Sequence, residues 1–223
     1  MADFSVRLFA LIVGVVVCVP AFGLDDSTAS GLPLVFTEDF SSGIDHWEVT
    51  DPKAWTRQDI DGNFVFGLNK RVSDYQPSVR SPHNIALIKD LQLSDFEMTF
   101  RVRSTKDTGN HRDCCVFFCH ADPTHFYYCH LGARPDPHSG QIMIVNDAPR
   151  KALTENEEPT PWTDQWHQVK VTRTSADGWI RVYFDDFEKP LMEVQDSTFG
   201  KGRIGIGSFD DMNDFDDIRV YGR

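Results

Sequence analysis

Positive charge is scarce in this sequence of 223 residues. Lysine and arginine together number 22, against 34 aspartates and glutamates, so the formal net charge is −12 and the pI is about 5. Nucleic acids and anionic membranes repel a protein of this charge, and we expect neither as a partner. An anionic glycan stays open as a ligand, provided that basic residues gather in one cleft.

Long apolar runs are also scarce. The one pronounced run covers residues 8–19, which is too short to cross a bilayer comfortably. Arg7 precedes this run and Ala21-Phe22-Gly23 follows it, which predicts a signal peptide over residues 1–23, cut after Gly23. A polar linker follows over residues 24–33. We therefore expect one exported domain, residues 34–223, that is secreted or periplasmic and has no membrane segment after signal cleavage.

Three catalytic signatures are missing. The sequence contains no G-x-S-x-G and no H-E-x-x-H. It also lacks the E-x-D-x-x-E pattern with which retaining glucanases place their paired carboxylates. Hydrolysis by a carboxylate pair is therefore a weaker hypothesis than chemistry at other side chains.

The sequence has no long segment with helical periodicity and consists instead of short strand-like runs. In residues 95–103, four apolar side chains at even positions alternate with polar ones, as in a strand with one buried and one solvated face. Turn pairs such as Asp61-Gly62 and Asp177-Gly178 separate the runs. This pattern predicts an all-β sandwich of two antiparallel sheets. The predicted strands cover residues 34–40, 46–49, 54–60, 63–68, 85–90, 95–103, 114–119, 126–131, 141–146, 165–174, 179–185, 191–195, 203–209 and 214–221.

The last third of the chain carries a family resemblance. Residues 166–173 (WHQVKVTR) resemble the W-H-x-V-x-V-x-R strand of laminin-G-like, concanavalin A-like domains, and residues 181–186 (RVYFDD) resemble their Y-x-D strand. Residues 202–207 and 215–221 are similar to their two closing strands. The resemblance implies a concanavalin A-like jelly roll and extends over residues 34–223. It also implies a choice among carbohydrate-binding modules, glycoside hydrolases of the family 16 type, polysaccharide lyases and bacterial 3-keto-disaccharide hydrolase-type domains. Fold analogy alone does not decide among them.

Histidine and cysteine are concentrated in residues 111–138, which hold five of the eight histidines and four of the five cysteines. Two aromatic-rich runs, 114–119 and 126–131, flank Asp122-Pro123, so we predict a β-hairpin. Alternation places Phe126, Tyr128 and His130 on one face, which we expect to line a concave sheet and open into a cleft.

Three interpretations of the mature cysteines stay open at this stage. In an oxidising compartment Cys119 and Cys129 would form a disulfide if they face each other across the hairpin, with their Cα atoms within about 7 Å. All four, including Cys114 and Cys115, would otherwise be buried thiols that act as small apolar residues. Zinc held by Cys119-His120 and Cys129-His130 is a third, weaker interpretation, because the spacing matches no standard zinc pattern.

The polar residues of the hairpin suggest acid–base chemistry on a glycan. His130 is the preferred general base and Tyr128 the second choice, because an ordinary tyrosine pKa lies far above neutrality. Arg112 and His120 complete the predicted catalytic set, since elimination next to a carboxylate needs a group to hold the developing charge. The predicted substrate-binding residues are Asn146, Arg150, His138 and His125. Sugar stacking is expected of Trp47, Trp55, Trp162 and Trp179, and a core position of Trp166.

The predicted function is a secreted carbohydrate-active protein that cleaves a glycan or modified sugar by elimination or hydrolysis. The alternative is a non-catalytic module that binds carbohydrate or protein, and it becomes the better interpretation if His120, Tyr128 and His130 are buried apart. No cofactor is required for either. A structural calcium is expected at Asp39 and Asp217, which the opening and closing strands bring together, although capping of turns explains these aspartates as well.

Overall fold

A computed structural model describes residues 31–223, so the predicted signal peptide and most of the predicted linker lie outside the described residues. In this part of the chain no helix is long and apolar enough to cross a membrane. Its one helical element is a 3-10 turn, Gly109–His111. The strands are β1 Leu34–Glu38, β2 Trp47–Val49, β3 Trp55–Ile60, β4 Asn63–Leu68, β5 Asn84–Leu93, β6 Phe96–Ser104, β7 Cys115–Asp122, β8 His125–His130, β9 Gln141–Asn146, β10 Lys151–Ala152, β11 His167–Thr174, β12 Trp179–Phe184, β13 Met192–Gln195, β14 Gly202–Ser208 and β15 Asn213–Gly222.

The strands form two antiparallel sheets, as the sequence predicted. The first has the order β13-β12-β11-β6-β15-β4-β3, with β1 also paired to β15. The second has the order β10-β9-β8-β7-β14-β5-β2. Neighbours in the sheets are often distant in sequence, which is typical of a jelly roll. The main hydrophobic core lies between the sheets and takes side chains from both.

Alternation in the first sheet follows the prediction closely. Along β6 the residues Phe96, Met98, Phe100 and Val102 are buried, and the residues between them are partly exposed. Strand β12 repeats the pattern with Ile180, Val182 and Phe184. These strands bury one face against the core and leave the other in contact with solvent, which is why their sequences alternate.

The second sheet differs because both of its faces are covered. Its inner face contributes to the main core, and its outer face carries a separate apolar cluster: Ile85, Leu87, Cys115, Phe117, Phe126, Tyr128, Met143 and Val145. Val79, from the segment 69–83, and Ala152 of β10 pack against this cluster. Because both faces are buried, β7 and β8 read as nearly continuous apolar runs.

The predicted hairpin is β7–β8, with Asp122 paired to His125 around Pro123-Thr124. A bulge interrupts the register between Phe118 and Asp122, and Cys119 there has a φ of +49°. The bulge turns Cys119 into the main core beside Phe118, and His120 is directed to the outer face, where it stacks on Phe126. Gly202 of β14 passes against this bulge, where a Cβ atom would lie 2.3 Å from the Cys119 carbonyl carbon.

The bulge also decides the disulfide question. Cys129 pairs with Val116, three positions before Cys119, which is roughly 10 Å along a strand. The condition for a Cys119–Cys129 bridge is therefore not met, and of the open interpretations the structure agrees with buried thiols. All four described cysteines are free and buried. Zinc through Cys119-His120 and Cys129-His130 is likewise not supported, since the two cysteines lie in the main core and the two histidines on the outer side of the sheet.

The structure corrects the predicted positions of three tryptophans, two expected at the surface and one expected in the core. Trp47 and Trp55, predicted to stack on sugars, are buried in the main core. Trp166, predicted for the core, lies half-exposed with the guanidinium carbons of Arg101 and Arg103 each 5.1 Å from its ring. Strand β11 begins only at the following residue, His167, so the side chain of Trp166 does not take part in the inward alternation.

Candidate functional site

A cleft of about 510 Å³ lies at the end of the hairpin that is remote from its turn. Four of the predicted site residues line it: Arg112, His130, His138 and Arg150. The remainder of the lining includes Arg80, Asp113, Arg134, Phe209 and Asp210. The lining residues come from the end of β8, from the loops after β8 and β9, from the segment before β7, from the segment 69–83 and from the turn between β14 and β15.

His130 and Asp113 form the floor of the cleft. His130 is 5% exposed, its Nδ1 lies 3.0 Å from the carbonyl oxygen of His138, and its Nε2 lies 3.7 Å from Asp113 Oδ2. A carbonyl oxygen can only accept a hydrogen bond, so His130 Nδ1–H is the donor and Nε2 faces the Asp113 carboxylate.

The Asp113 carboxylate is fixed by several donors. It accepts hydrogen bonds from Ser208 Oγ at 2.7 Å, from the Phe209 amide at 2.9 Å and from the Asp210 amide at 3.2 Å. Burial acts to raise the pKa of Asp113, but His130 and these donors outweigh it and hold the pKa below its usual value. A charged carboxylate is therefore maintained in a nearly inaccessible position.

Three arginines around the cleft have no carboxylate partner. Within residues 31–223, Arg80, Arg134 and Arg150 take part in no salt bridge, and the Nε and Nη1 atoms of Arg150 are buried without a hydrogen-bond partner. The Arg150 guanidinium carbon lies 4.2 Å from the centre of the Phe209 ring, and that of Arg80 lies 5.4 Å from it. Arg112 is different, because its Nη2 donates to Asp164 and lies 3.5 Å from Asp107.

Tyr128 is on the predicted face but does not reach the cleft. Its side chain is fully buried in the outer cluster, and its hydroxyl has no hydrogen-bond partner. Burial raises the pKa of Tyr128 well above its ordinary value, with the neighbouring Cys115 adding to the effect. To act as a general base, Tyr128 would have to contact the substrate and already be deprotonated. Its burial opposes the first requirement and its raised pKa opposes the second.

His120 lies on the same face, beyond Phe126, and is also buried. Burial and then the charge of Arg203 lower its pKa to about 4. It is absent from the lining of the cleft, so it does not join His130. The three residues predicted to act together are thus arranged in a row, with only His130 open to the cleft.

His125 and Asn146 mark the opposite end of β8. They pair in register beside the hairpin turn, and neither lines the cleft. His125 Nδ1 lies 2.9 Å from Asp122 Oδ2, and its Nε2 lies 3.1 Å from Asp147 Oδ2. Asp122, followed by the charge of Asp147, raises the pKa of His125. These contacts stabilise the turn, and the predicted substrate contacts of His125 and Asn146 do not belong to this cleft.

Asp39 and Asp217 have protein partners. Asp39 Oδ1 accepts from the Ser41 amide at 2.9 Å and from Ser41 Oγ at 2.6 Å, while Asp217 Oδ2 lies 2.6 Å from Arg101 Nε. In the described part of the chain they are not members of any group of three metal-binding side chains. Calcium at this pair stays a prediction.

Sequence reasoning missed Arg80, Asp113 and Phe209. Arg80 lies in the segment 69–83, which packs on the outer face of the second sheet. This segment has no periodic pattern in its sequence, so the position of Arg80 could not be predicted. Asp113 and Phe209 come from segments far apart in sequence and meet only because β7 and β14 are neighbours. The motif HRDCC contained one available signal, an aspartate two residues from a cysteine at the start of an apolar strand.

Comparison with known proteins identifies the architecture. No protein family model matches the chain, and no curated protein does. Among solved structures it is similar to a carbohydrate-binding module, CBM66, from Bacillus subtilis, with 16% identity and a TM-score of 0.56 over 79% of this chain and 96% of that one. A xylan beta-1,4-xylosidase from Bacillus halodurans gives 16% identity and a TM-score of 0.56, over 85% of this chain but only 40% of that one.

A lectin from Bauhinia forficata in complex with GalNAc gives 8% identity and a TM-score of 0.52, over 85% of this chain and 98% of the lectin. Identities this low carry information about the fold alone. The described chain therefore has the concanavalin A-like jelly-roll sandwich that the strand motifs predicted.

Proposed function

We propose that this protein is an exported carbohydrate-binding module that recognises an anionic sugar in the cleft above His130. The observation that carries the proposal is the set of unpaired arginines at one site of an acidic protein. Carboxylates exceed basic side chains by a wide margin in the sequence, yet Arg80, Arg134 and Arg150 have none as a partner within residues 31–223.

The chemistry of the cleft supports an anion with planar or tetrahedral oxygens. Guanidinium groups bind carboxylate and sulfate. Arg150 lines the cleft, and its Nε and Nη1 have no hydrogen-bond partner among residues 31–223. The Phe209 ring packs against the Arg150 guanidinium, whose central carbon lies 4.2 Å from the ring centre. A uronic acid or a sulfated sugar presents such a group on a ring of suitable size. The similarity in fold to a carbohydrate-binding module and a lectin supports a sugar as the carrier of that charge.

Burial of the hairpin residues favours binding over catalysis. Of the three residues expected to perform acid–base chemistry, Tyr128 is inaccessible and His120 lies outside the cleft. A binding site needs only the arginines and His130 on the floor of the cleft, and these line it together.

The test is titration of the protein with acidic and neutral oligosaccharides of matched length, measured by calorimetry. We expect Arg150→Ala to weaken binding of the acidic sugar by about tenfold to hundredfold, because a charge-assisted hydrogen bond contributes about 1.5–3 kcal/mol. Arg181→Ala is the matched control, since Arg181 pairs with Glu193 on the first sheet. Equal affinity for acidic and neutral sugars, or equal loss in both variants, would contradict the proposal.

Cleavage at the same cleft is the second candidate, and the His130–Asp113 pair favours it. A histidine oriented by one hydrogen bond and next to a carboxylate can accept a proton, and Arg150 could hold the charge of an enolate. Incubation with the bound acidic glycan would then produce unsaturated ends that absorb in the ultraviolet, and His130→Ala would abolish them. Binding without new absorbance or reducing ends would leave the module as the function.

A further inference from the structure

Three buried side chains with metal-binding atoms meet beneath the cleft, at the point where β7 and β8 pair. Cys115 and His130 face each other in register, and Asp113 precedes Cys115 by two residues. Their donor atoms all lie within 4.8 Å of one another. Asp113 Oδ2 is 3.7 Å from His130 Nε2, and Asp113 Oδ1 is 4.0 Å from Cys115 Sγ. Tetrahedral zinc with its usual bond lengths holds such donors about 3.4–3.6 Å apart, so small side-chain movements suffice.

The surroundings orient these donors as a metal site requires. The His130 Nδ1–H donates to the His138 carbonyl oxygen, which leaves Nε2 as the coordinating atom. Ser208 and the amides of Phe209 and Asp210 hold the Asp113 carboxylate in place. Metal-binding histidines and carboxylates are commonly fixed by outer hydrogen bonds of this kind.

A second observation is independent of the three donors. The Tyr128 hydroxyl is fully buried on the same face of the hairpin, two residue pairs along from Cys115 and His130, and has no hydrogen-bond partner among the described residues. A buried polar atom without a partner needs an explanation, and a cation-centred cluster beside it supplies one.

We propose that Asp113, Cys115 and His130 bind a divalent ion of the zinc class. A sulfur, a nitrogen and an oxygen donor together suit zinc rather than calcium or magnesium, which prefer oxygen alone. Asp113 and His130 line the cleft and Cys115 lies behind them, so the fourth coordination position is directed into the cleft. An ion there adds positive charge next to Arg150, where an anionic ligand would sit. The inference goes beyond the proposed sugar binding and does not depend on it.

The test uses the whole mature protein, stripped with a chelator and titrated with Zn²⁺ or Co²⁺ alone. We expect one ion per chain, and for Co²⁺ an intense near-ultraviolet band from sulfur-to-cobalt charge transfer that zinc then displaces. Zinc should also raise the melting temperature of the protein. A cobalt spectrum without the sulfur band would overturn the assignment, even if every variant failed to fold.

Variants assign the donors. Cys115→Ala and Asp113→Asn should each weaken zinc binding by at least about tenfold, given that even outer-sphere changes have effects of this size. Cys129→Ala is the matched control, because Cys129 is an equally buried cysteine of the same hairpin whose side chain enters the main core. Unchanged zinc affinity in Cys115→Ala, or an equal loss in Cys129→Ala, would reduce the three residues to an ordinary buried ion pair beside a thiol.

Discussion

The outer faces of the two sheets differ in both composition and environment. The outer face of the first sheet carries half-exposed side chains such as Arg101, Lys170 and Tyr183, and solvent reaches them. The outer face of the second sheet carries a second apolar cluster beneath Val79 and Ala152. The candidate site lies at the edge of that cluster, next to His130 and Phe209. Because both faces of the second sheet are covered, polar side chains such as His130 and Asp113 are buried at the edge of the outer apolar cluster and still line the cleft.

The largest expected effect is on stability, and it compares the buried outer face of the second sheet with the solvated outer face of the first. Phe117→Ala removes a fully buried ring that contacts Phe126 and Tyr128, so the free energy of unfolding should fall by about 3–5 kcal/mol. Tyr183→Ala on the first sheet removes a half-exposed ring and should cost less than about 1 kcal/mol. Urea unfolding of both variants measures this, and similar losses would mean that the two faces do not differ.

The next effect is pH dependence from His120. Its pKa of about 4 in the folded state lies below the ordinary 6.5, so between these values the unfolded chain binds more protons and stability falls as the pH falls. The full loss is about 3 kcal/mol, of which about 2 kcal/mol falls between pH 7 and pH 5.

His120→Phe keeps the stacking on Phe126 and removes this titration. The stability difference between variant and wild type should therefore grow in favour of the variant as the pH falls from 7 to 5. A difference that is constant with pH would show that His120 is accessible to protons in the folded state.

A smaller effect is expected from the hydroxyl of Tyr128. In metal-free protein, Tyr128→Phe removes a buried donor without a partner and should leave stability unchanged or raise it by about 1–2 kcal/mol. Tyr127→Phe is the control, because the Tyr127 hydroxyl donates to Asp196 and accepts from the Phe199 amide, so its loss should destabilise. Denaturant unfolding in the presence of a chelator compares the pair. Destabilisation by Tyr128→Phe would point to a partner for this hydroxyl.

The smallest effect belongs to the solvated face. Arg181 Nε lies 3.0 Å from Glu193 Oε2 across β12 and β13, and both side chains are partly exposed. Glu193→Gln should cost about 0.2–1 kcal/mol at low ionic strength and almost nothing in 1 M salt. A loss that persists in high salt would require a more buried pair than the first sheet provides.

The fold was easier to predict from the sequence than the site, because alternation reveals strands with one solvent-exposed face but not what covers a strand buried on both faces. Strands such as β6 and β12 have one wet face, so their alternation gives both the strand and its orientation. The runs 114–119 and 126–131 contain aromatic and polar residues that are all buried. Alternation placed Tyr128 on the correct face of the hairpin but did not show that other residues cover that face. That cover comes from the segment 69–83, whose path depends on tertiary contacts.

The residues of the site were partly predictable. His130, Arg112 and His138 lie in or beside the hairpin in sequence, and Arg150 lies in the loop after the next strand, so the sequence could group these four lining residues. Asp113, Arg80 and Phe209 depend on the neighbourhood of β7 and β14 and on the crossing segment, which no local pattern encodes. The bulge at Cys119 was equally hidden, and it alone decided which cysteines can meet.

The position of β14 and β15 has a consequence for how the chain folds. Each lies in the interior of its sheet, with β14 between β7 and β5 and β15 between β6 and the strands β4 and β1. Neither sheet is complete until β14 and β15, which come last in the sequence, have paired with their neighbours. Pairing between strands far apart in sequence slows folding. Until then β6 and β7 expose unpaired edges, and the thiols of β7 are open to oxidation and mispairing. Folding yield should therefore depend on reducing conditions even though the native protein has no disulfide among its described cysteines.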